Sequence, residues 1–348
     1  MSGPSASPDG VKIGRAGWRL ACLAACAVTA LLASLAEAAE SGWSAVAGTK
    51  TAYTTDVFQY SAARRLALGE DPSQPTIVPL DKPSDVIVEP SIEVKRALAT
   101  PWGGTELSAR AHGFLYTEHP IFNHGEYRLQ ATQAVARDTS LLLRYRYVPN
   151  LFLGPNTSVQ SSPRSLQEER VTSHTWRTEV EHALTEAWTV ALIGRYGLRL
   201  YNQPFAERDT TFYTGGGQVG YLAAPWARLT LAYLYERGLA DGRGNQQLKD
   251  DVSYIQQFIS FKTEFRLADP LALDLDYVFR LTDFTSTIIG DSHRHRQDVT
   301  NQGRAELRYA ATRALALSLS VQQTQRTSTA SASGFNDTIT SVGAQYTF

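Results

Sequence analysis

From about residue 43 to the last residue, apolar and polar side chains alternate at a period of two, interrupted at intervals by turn-forming residues. The final stretch is the clearest case. Val342, Ala344, Tyr346 and Phe348 fall on one face, and Ser341, Gly343, Gln345 and Thr347 fall on the other. That period belongs to a β-strand with one apolar and one polar side. About fourteen such segments are legible, at 44–53, 85–96, 104–117, 122–136, 139–149, 170–184, 187–202, 208–223, 226–239, 250–267, 270–285, 296–311, 314–327 and 337–348. Many are longer than the roughly nine to eleven residues that cross a bilayer as a tilted strand. The pattern predicts an all-β fold, a transmembrane up-and-down antiparallel β-barrel of about fourteen strands, with twelve or sixteen still open.

The connections support this topology. One set is tight, at Arg137-Asp138, Thr185-Glu186, Ala224-Pro225, Asp269-Pro270 and Thr312-Arg313. The other is mostly long and polar, at 54–84, 150–169, 240–249, 286–295 and 328–336, with shorter members near 118–121 and 203–207. Short turns at one end and long loops at the other are the habit of outer-membrane barrels, whose short turns are periplasmic. A soluble sandwich or propeller also has turn-separated strands, but its strands are usually five or six residues, at most about ten.

The first residues read as an export signal. Arg15 and Arg19 precede an apolar run from Leu20 to Leu35, and Ala36-Glu37-Ala38 fits a small-x-small cleavage site. Residues 1–38 are therefore expected to be a cleaved signal peptide and 39–348 the barrel. A lipoprotein box at Leu23-Ala24-Ala25-Cys26 would instead leave Cys26 lipidated, but the chain beyond it stays apolar rather than forming a polar tether. Both cysteines, Cys22 and Cys26, lie in this segment, so the mature chain is expected to carry no disulfide and no cysteine chemistry.

Composition adds two points. Sixteen Tyr, thirteen Phe and six Trp beside one Met suit the aromatic girdles of a barrel. A net charge of −1 argues against a nucleic-acid partner.

With the apolar face turned to lipid, the opposite face can be read off. The expected pore-lining residues are Arg110, Arg128, Arg144, Arg146, Arg177, Glu179, Glu181, Arg195, Arg199, Lys262, Glu264, Arg266, Asp274, Asp276, Arg280, Arg304, Glu306 and Arg308. An Arg or Lys facing lipid at the midplane costs roughly 2–4 kcal/mol, so these alternate charges are expected to point inward. Two readings follow. The lumen is a water-filled pore with an arginine-rich wall favouring anionic or polar solutes, or it is closed by an arginine–carboxylate network. The loop at 54–84, with Pro72, Pro75, Pro79 and Pro83, either folds inward or caps the mouth, or stays on the surface.

Other motifs yield less. Gly215-x-Gly217-x-x-Gly220 matches a dinucleotide fingerprint by letter but sits inside an expected strand with no helix after it. Asp291, His293 and His295 invite a metal, though flanking arginines and a loop position favour a solvated tip. Ser173-His174, Asn123-His124 and the lipid-side His182 invite comparison with membrane-embedded hydrolases, without an evident Ser–His pair. No catalytic residue, metal ligand or cofactor is expected.

Tyr53-Thr54-Thr55-Asp56-Val57-Phe58, a polar loop, and then Ser84-Asp85-Val86-Ile87-Val88-Glu89-Pro90 resemble the start of the β-barrel porin families of Gram-negative bacteria. There a Tyr-Asp-x-Asn-Val-Phe-like element precedes the first loop, and a strand from an Asp to a Pro follows. Thr54 and Thr55 depart from that pattern. Gly343-x-x-Tyr346-x-Phe348 also resembles the C-terminal signal read by the barrel assembly machinery. The resemblance implies an outer-membrane location among lipid and lipopolysaccharide. The expected function is a channel for small polar solutes, anionic ones included. A polysaccharide export conduit, a closed barrel with adhesive or structural loops, and a membrane-embedded hydrolase are the alternatives.

Overall fold

In a computed structural model, which describes residues 42–68, 83–160, 164–330 and 334–348, the chain is a closed antiparallel β-barrel. The expected signal peptide and both cysteines lie outside the described residues. The strands are β1 (Trp43–Thr54), β2 (Asp85–Thr100), β3 (Gly103–Tyr116), β4 (His124–Ala136), β5 (Thr139–Thr157), β6 (Leu166–Ala183) and β7 (Trp188–Tyr201). They continue as β8 (Thr210–Ala224), β9 (Ala227–Ala240), β10 (Tyr254–Ala268), β11 (Leu271–Phe284), β12 (Gln297–Ala310), β13 (Leu315–Ser328) and β14 (Phe335–Thr347). Each pairs with its neighbours in sequence, and β14 closes on β1 with Val46 opposite Thr347 and Tyr53 opposite Thr340. The fourteen strands are those the alternation predicts. The largest difference is the β5–β6 hairpin, which extends to Thr157 and back from Leu166, so most of the expected 150–169 loop is ladder.

The turns follow from local chemistry. In both Thr185 and Thr312 the hydroxyl accepts from the two backbone N–H groups that start the next strand, at 3.2 and 3.0 Å and at 3.2 and 2.9 Å. This pattern satisfies a tight turn without extra residues. Gly103 opens β3 at φ 125°, where a Cβ would sit 2.5 Å from the Ala134 carbonyl oxygen, so only glycine fits.

The outer surface carries two aromatic bands. At the loop end, ring contacts run from Tyr127 through Tyr147, His174, Trp176 and Tyr196 to Tyr213. At the turn end, Trp188 stacks on Tyr221 at 4.3 Å and Trp226 contacts Phe265. From Trp188 to Tyr196 is about 26 Å along the strand, or about 20 Å along the axis of a barrel tilted by roughly 40°. That height fits the apolar band of an outer-membrane barrel. Between the bands Leu107, Leu129, Leu192, Leu231, Leu319 and Val342 are exposed.

Inside the loop end lies a helix that the strand pattern does not predict. α1 (Val57–Leu68) follows β1 directly, and Asp56 caps it, its Oδ1 accepting from Phe58 and Gln59 N–H at 3.0 and 3.1 Å. Val57, Phe58, Tyr60, Ala63 and Leu66 are buried with the inward-facing Ile87, Phe114, Tyr116, Phe335 and Ile339. The described part of the 54–84 segment therefore folds into the barrel. A second apolar cluster, Val148, Leu151, Leu153, Val171, Tyr201 and Phe205, fills the loop end beside it.

Candidate lumen site

Strand register places side chains on one face across neighbouring strands, because directly opposed residues share a face. One row runs Arg110 (β3), Arg128 (β4) and Arg146 (β5). The next runs Gln130 (β4), Arg144 (β5), Arg177 (β6), Arg195 (β7), Thr214 (β8) and Glu236 (β9). These positions alternate with the exposed Leu107, Tyr127, Leu129, Leu143, Trp176, Val180, Leu192 and Tyr196, so they face the lumen. Glu179 and Glu181 share the parity of Arg177, and Arg199 that of Arg195.

On the other wall Lys262 lies opposite Asp276, and Glu264 opposite Asp274. Asp274 is opposite Glu306, Asp276 opposite Arg304, and Arg266 and Arg308 flank Ala272. Arg280 has the same parity as Asp276. Along each of these strands these charges keep one parity and alternate with largely apolar positions.

The two walls treat their charges differently. On β10–β12 opposite charges pair locally: Lys262 with Glu264 at 2.7 Å, Arg308 with Asp274 at 2.7 Å, and Arg304 with Glu306. On β3–β7 arginines face arginines in four directly opposed pairs, Arg110–Arg128, Arg128–Arg146, Arg144–Arg177 and Arg177–Arg195. Carboxylates engage this wall at three places: Glu93 meets Arg128 at 3.5 Å, Glu179 on β6 meets Arg177 at 2.6 Å, and Glu236 meets Arg195 and Arg199 at 3.8 and 3.6 Å. Arg144 donates its Nε–H to the neutral Gln130 at 2.8 Å. Directly opposed like charges destabilise a sheet by roughly 0.2–1 kcal/mol each. Arg128, Arg144, Arg146, Arg177 and Arg195 border a cavity of about 370 Å³ that also reaches Arg280 on the far wall.

α1 stands above this cavity. Its buried Tyr60 hydroxyl donates to Glu89 at 2.6 Å, and Arg64 Nη1 meets His124 Nε2 at 2.8 Å while stacking on Phe114. At its inner end the Leu66 carbonyl accepts from Arg280, and the Ala63 carbonyl accepts from Gln302. An arginine on the last carbonyls of a helix is favoured by the helix dipole. Alternation of strands does not reveal this contact set. Two signals in the sequence do point to it: Asp56 followed by an i, i+3, i+4 apolar spacing, and aromatic residues at the inward Phe114 and Tyr116 where polar ones are expected.

The loops carry an ionic cluster. Arg208 donates to Glu169 at 2.7 Å and to both carboxylate oxygens of Asp250 at 2.7 and 3.0 Å, all buried. His293 Nδ1 lies 3.1 Å from Asp291 and 3.5 Å from Asp250. Asp250, Asp291 and His293 thus come together, but Arg208 occupies the cationic position beside Asp250. His295 does not join them. Hydrogen bonds from His293 and from the Asp251 backbone and Ser286 hydroxyl hold the Asp291 carboxyl well below the usual carboxylate range despite its burial. On the lipid face His182 pairs with Thr139 at 2.9 Å and His174 with Tyr145 at 2.7 Å. Gly215, Gly217 and Gly220 lie within β8. In the closing strand Gly343 turns inward opposite Lys50 and Ser318, Tyr346 turns outward, and the Phe348 N–H donates to Ala45 at 2.9 Å.

No family profile matches the sequence, and no curated protein sequence matches it. Solved structures do. The outer membrane channel DcaP of Acinetobacter baumannii superposes with a TM-score of 0.50 at 9% identity, over 88% of this chain and 96% of that one. OmpT, an outer membrane protein of Vibrio cholerae, gives a TM-score of 0.49 at 7% identity over 88% and 96%. Pseudomonas aeruginosa OprD gives 0.40 at 9% identity over 88% and 95%. At these identities the likeness to DcaP is one of fold: this chain has the architecture of an outer-membrane β-barrel.

Proposed function

We propose that this protein is an outer-membrane channel through which small polar solutes, anions preferentially, pass along an arginine-rich lumen. The observation that carries the proposal is the set of four directly opposed arginine pairs on β3–β7. A barrel closed for rigidity gains from pairing arginines with carboxylates, as Arg304 and Arg308 do on the β10–β12 wall. Keeping like charges opposed sacrifices stability, and such sacrifices mark functional sites. A row of guanidinium groups in a narrow, low-dielectric lumen raises the local concentration of anions and repels cations. Residues 1–38 act as the export signal, and the C-terminal strand is read by the assembly machinery in the outer membrane. α1 sets the width of the path at the loop end.

Planar-bilayer recording across a salt gradient tests the reading. Discrete conductance steps with a reversal potential on the anion side are expected, moving toward zero in an Arg144→Gln, Arg177→Gln double variant. A folded, heat-modifiable barrel that gives no steps overturns it.

A further inference from the structure

Beside the arginine wall, an apolar row interrupts a lumen face that also carries Gln218, Gln256 and Ser260. Ile193 on β7, Leu234 on β9 and Phe258 on β10 belong to one cross-strand row, linked through Gly216 on β8 and ending at Arg280 on β11. Ala232 adjoins it one pair along β9. All four apolar side chains border the same cavity of about 370 Å³ as Arg128, Arg144, Arg146, Arg177 and Arg195. They belong to neither of the two apolar clusters at the loop end, so the packing of α1 does not account for them. At Gly216 a Cβ would lie 2.1 Å from the Tyr233 carbonyl oxygen and 2.8 Å from Leu234, so the wall is recessed there between Ile193 and Leu234. With strands spaced about 4.8 Å apart, the strip from β7 to β10 is roughly 14 Å wide.

The basic side of the cavity holds unused hydrogen-bonding capacity. Among the described residues, the buried Nε–H groups of Arg128 and Arg195, and of Arg280 at the end of the apolar row, meet no acceptor, and the Thr175 hydroxyl has no partner. One acceptor, Glu126 Oε2, is also unmatched. Buried donors without acceptors are costly, and the four that border this cavity point to an occupant rich in acceptor oxygens. Inorganic anions and sugar acids would satisfy the donors but leave the Ile193–Leu234–Phe258 strip against a hydrated surface. A carboxylate borne on an aromatic or branched aliphatic body satisfies both walls at once. Cavities of this size and mixed lining are typical of small-molecule sites.

We infer that this cavity is a binding site for small carboxylates with an apolar body, held by charge-assisted hydrogen bonds to the arginines and by apolar contact with Ile193, Leu234 and Phe258. The inference rests on the channel reading in making the site a station on the path, but binding itself does not require conduction.

The test uses the folded full barrel and two readouts. Single-channel current in potassium chloride reports conduction. Titration calorimetry of benzoate, gluconate and benzyl alcohol into the detergent-solubilised barrel reports binding. Benzoate is expected to bind about tenfold or more tightly than gluconate, because gluconate cannot use the apolar strip, and benzyl alcohol is expected not to bind saturably. Phe258→Ser should collapse the benzoate-to-gluconate ratio, and Arg195→Gln should weaken both anions. Equal affinity of wild-type protein for benzoate and gluconate, or no saturable binding of either, overturns the inference, and this comparison needs no variant to fold. Absence of conductance with benzoate binding intact would overturn the channel reading and leave the site standing.

Discussion

Arg144 on β5 lies directly opposite Arg177 on β6, on the lumen face and in register, with Arg177 itself opposite Arg195 on β7. The neighbouring carboxylate Glu179 engages Arg177, whereas Arg144 donates to neutral Gln130. Repulsion across such a pair opposes folding by a fraction of a kilocalorie, about 0.2–1 kcal/mol. Arg144→Gln keeps a hydrogen-bonding side chain and removes that repulsion. It is expected to leave the barrel as stable or up to about 0.5 kcal/mol more stable in denaturant titration, while anion selectivity falls in reversal-potential measurements. A variant that is less stable and equally selective would show that Arg144 serves the scaffold instead.

The inward helix gives a second prediction. α1 is fastened by Tyr60 to Glu89, Arg64 to His124, and Arg280 and Gln302 to its carbonyls. Replacing Val57–Leu68 with a flexible polar linker removes these contacts and exposes the inward Phe114 and Tyr116. Unitary conductance is expected to rise severalfold, since the segment occupies the loop end of the lumen. Tyr60→Phe is a milder version that deprives Glu89 of one buried donor, at about 1–3 kcal/mol of local stability. It should add brief openings to the larger level. Conductance unchanged in both variants would place the ion path away from α1.

The strands and their order were legible in the sequence because a bilayer demands strict alternation, which leaves a period of two in the chain. Val342 and Gly343, or Trp176 and Arg177, are assigned to opposite faces from that period alone. The same rule hid α1. Its residues answer to a local core made with Ile87, Phe114 and Phe335, not to lipid, so their spacing is helical within a segment otherwise read as a loop. Pairing partners were hidden too. Whether Arg144 faces a carboxylate or another arginine depends on the relative shift of β5 and β6, which the β5–β6 hairpin sets with shifts in register near Val148 and Phe152. The apolar row through Ile193, Leu234 and Phe258 breaks the expected polar lumen and becomes visible only when β7 to β10 are laid side by side.

Among the loops, Arg208 joins Glu169 on β6 to Asp250 in the segment between β9 and β10. All three side chains are buried, and removing one member of such a network leaves uncompensated charge, typically at about 3–5 kcal/mol. Arg208→Met is therefore expected to free the loops around 203–209 and 241–253 for rapid proteolysis. The barrel itself, held by its closed ladder, should remain heat-modifiable on gels. Collapse of the whole barrel would show that the cluster supports more than the loops.

Acid should loosen the same region. The Asp291 carboxyl accepts from the His293 ring and N–H, the Ser286 hydroxyl and the Asp251 N–H, which hold it well below the ordinary carboxylate range. Arg208, Asp250 and the Phe284 ring complete the surroundings of His293. A depressed carboxylate stabilises the fold fully above its unfolded value of about 3.9 and loses that contribution as pH falls toward its folded value. Loop protection against an acid-active protease is expected to be flat from neutral pH to about 4 and to decline below that, with the Asp291 contribution to the decline absent in Asp291→Asn. An identical acid response in wild type and variant would assign the effect to other groups.

Phe348 allows folding and delivery to be tested separately. Its amide N–H closes the seam to the Ala45 carbonyl at 2.9 Å, and its ring meets Tyr346 at 4.7 Å on the outer surface at the turn end. Phe348→Ala keeps the backbone bond and deletes the ring. The ladder between β1 and β14, from Val46–Thr347 to Tyr53–Thr340, is untouched. In detergent the variant should therefore refold with a stability within about 1 kcal/mol of wild type, since a partly exposed ring at a strand end buries little area. In cells a signal read by the assembly machinery would suffer more: mature barrel in the outer membrane is expected to drop several-fold, with unfolded chain accumulating in the periplasm. Equal outer-membrane levels would make Phe348 an ordinary member of the aromatic girdle, and a matching loss of stability in detergent would make it a seam residue.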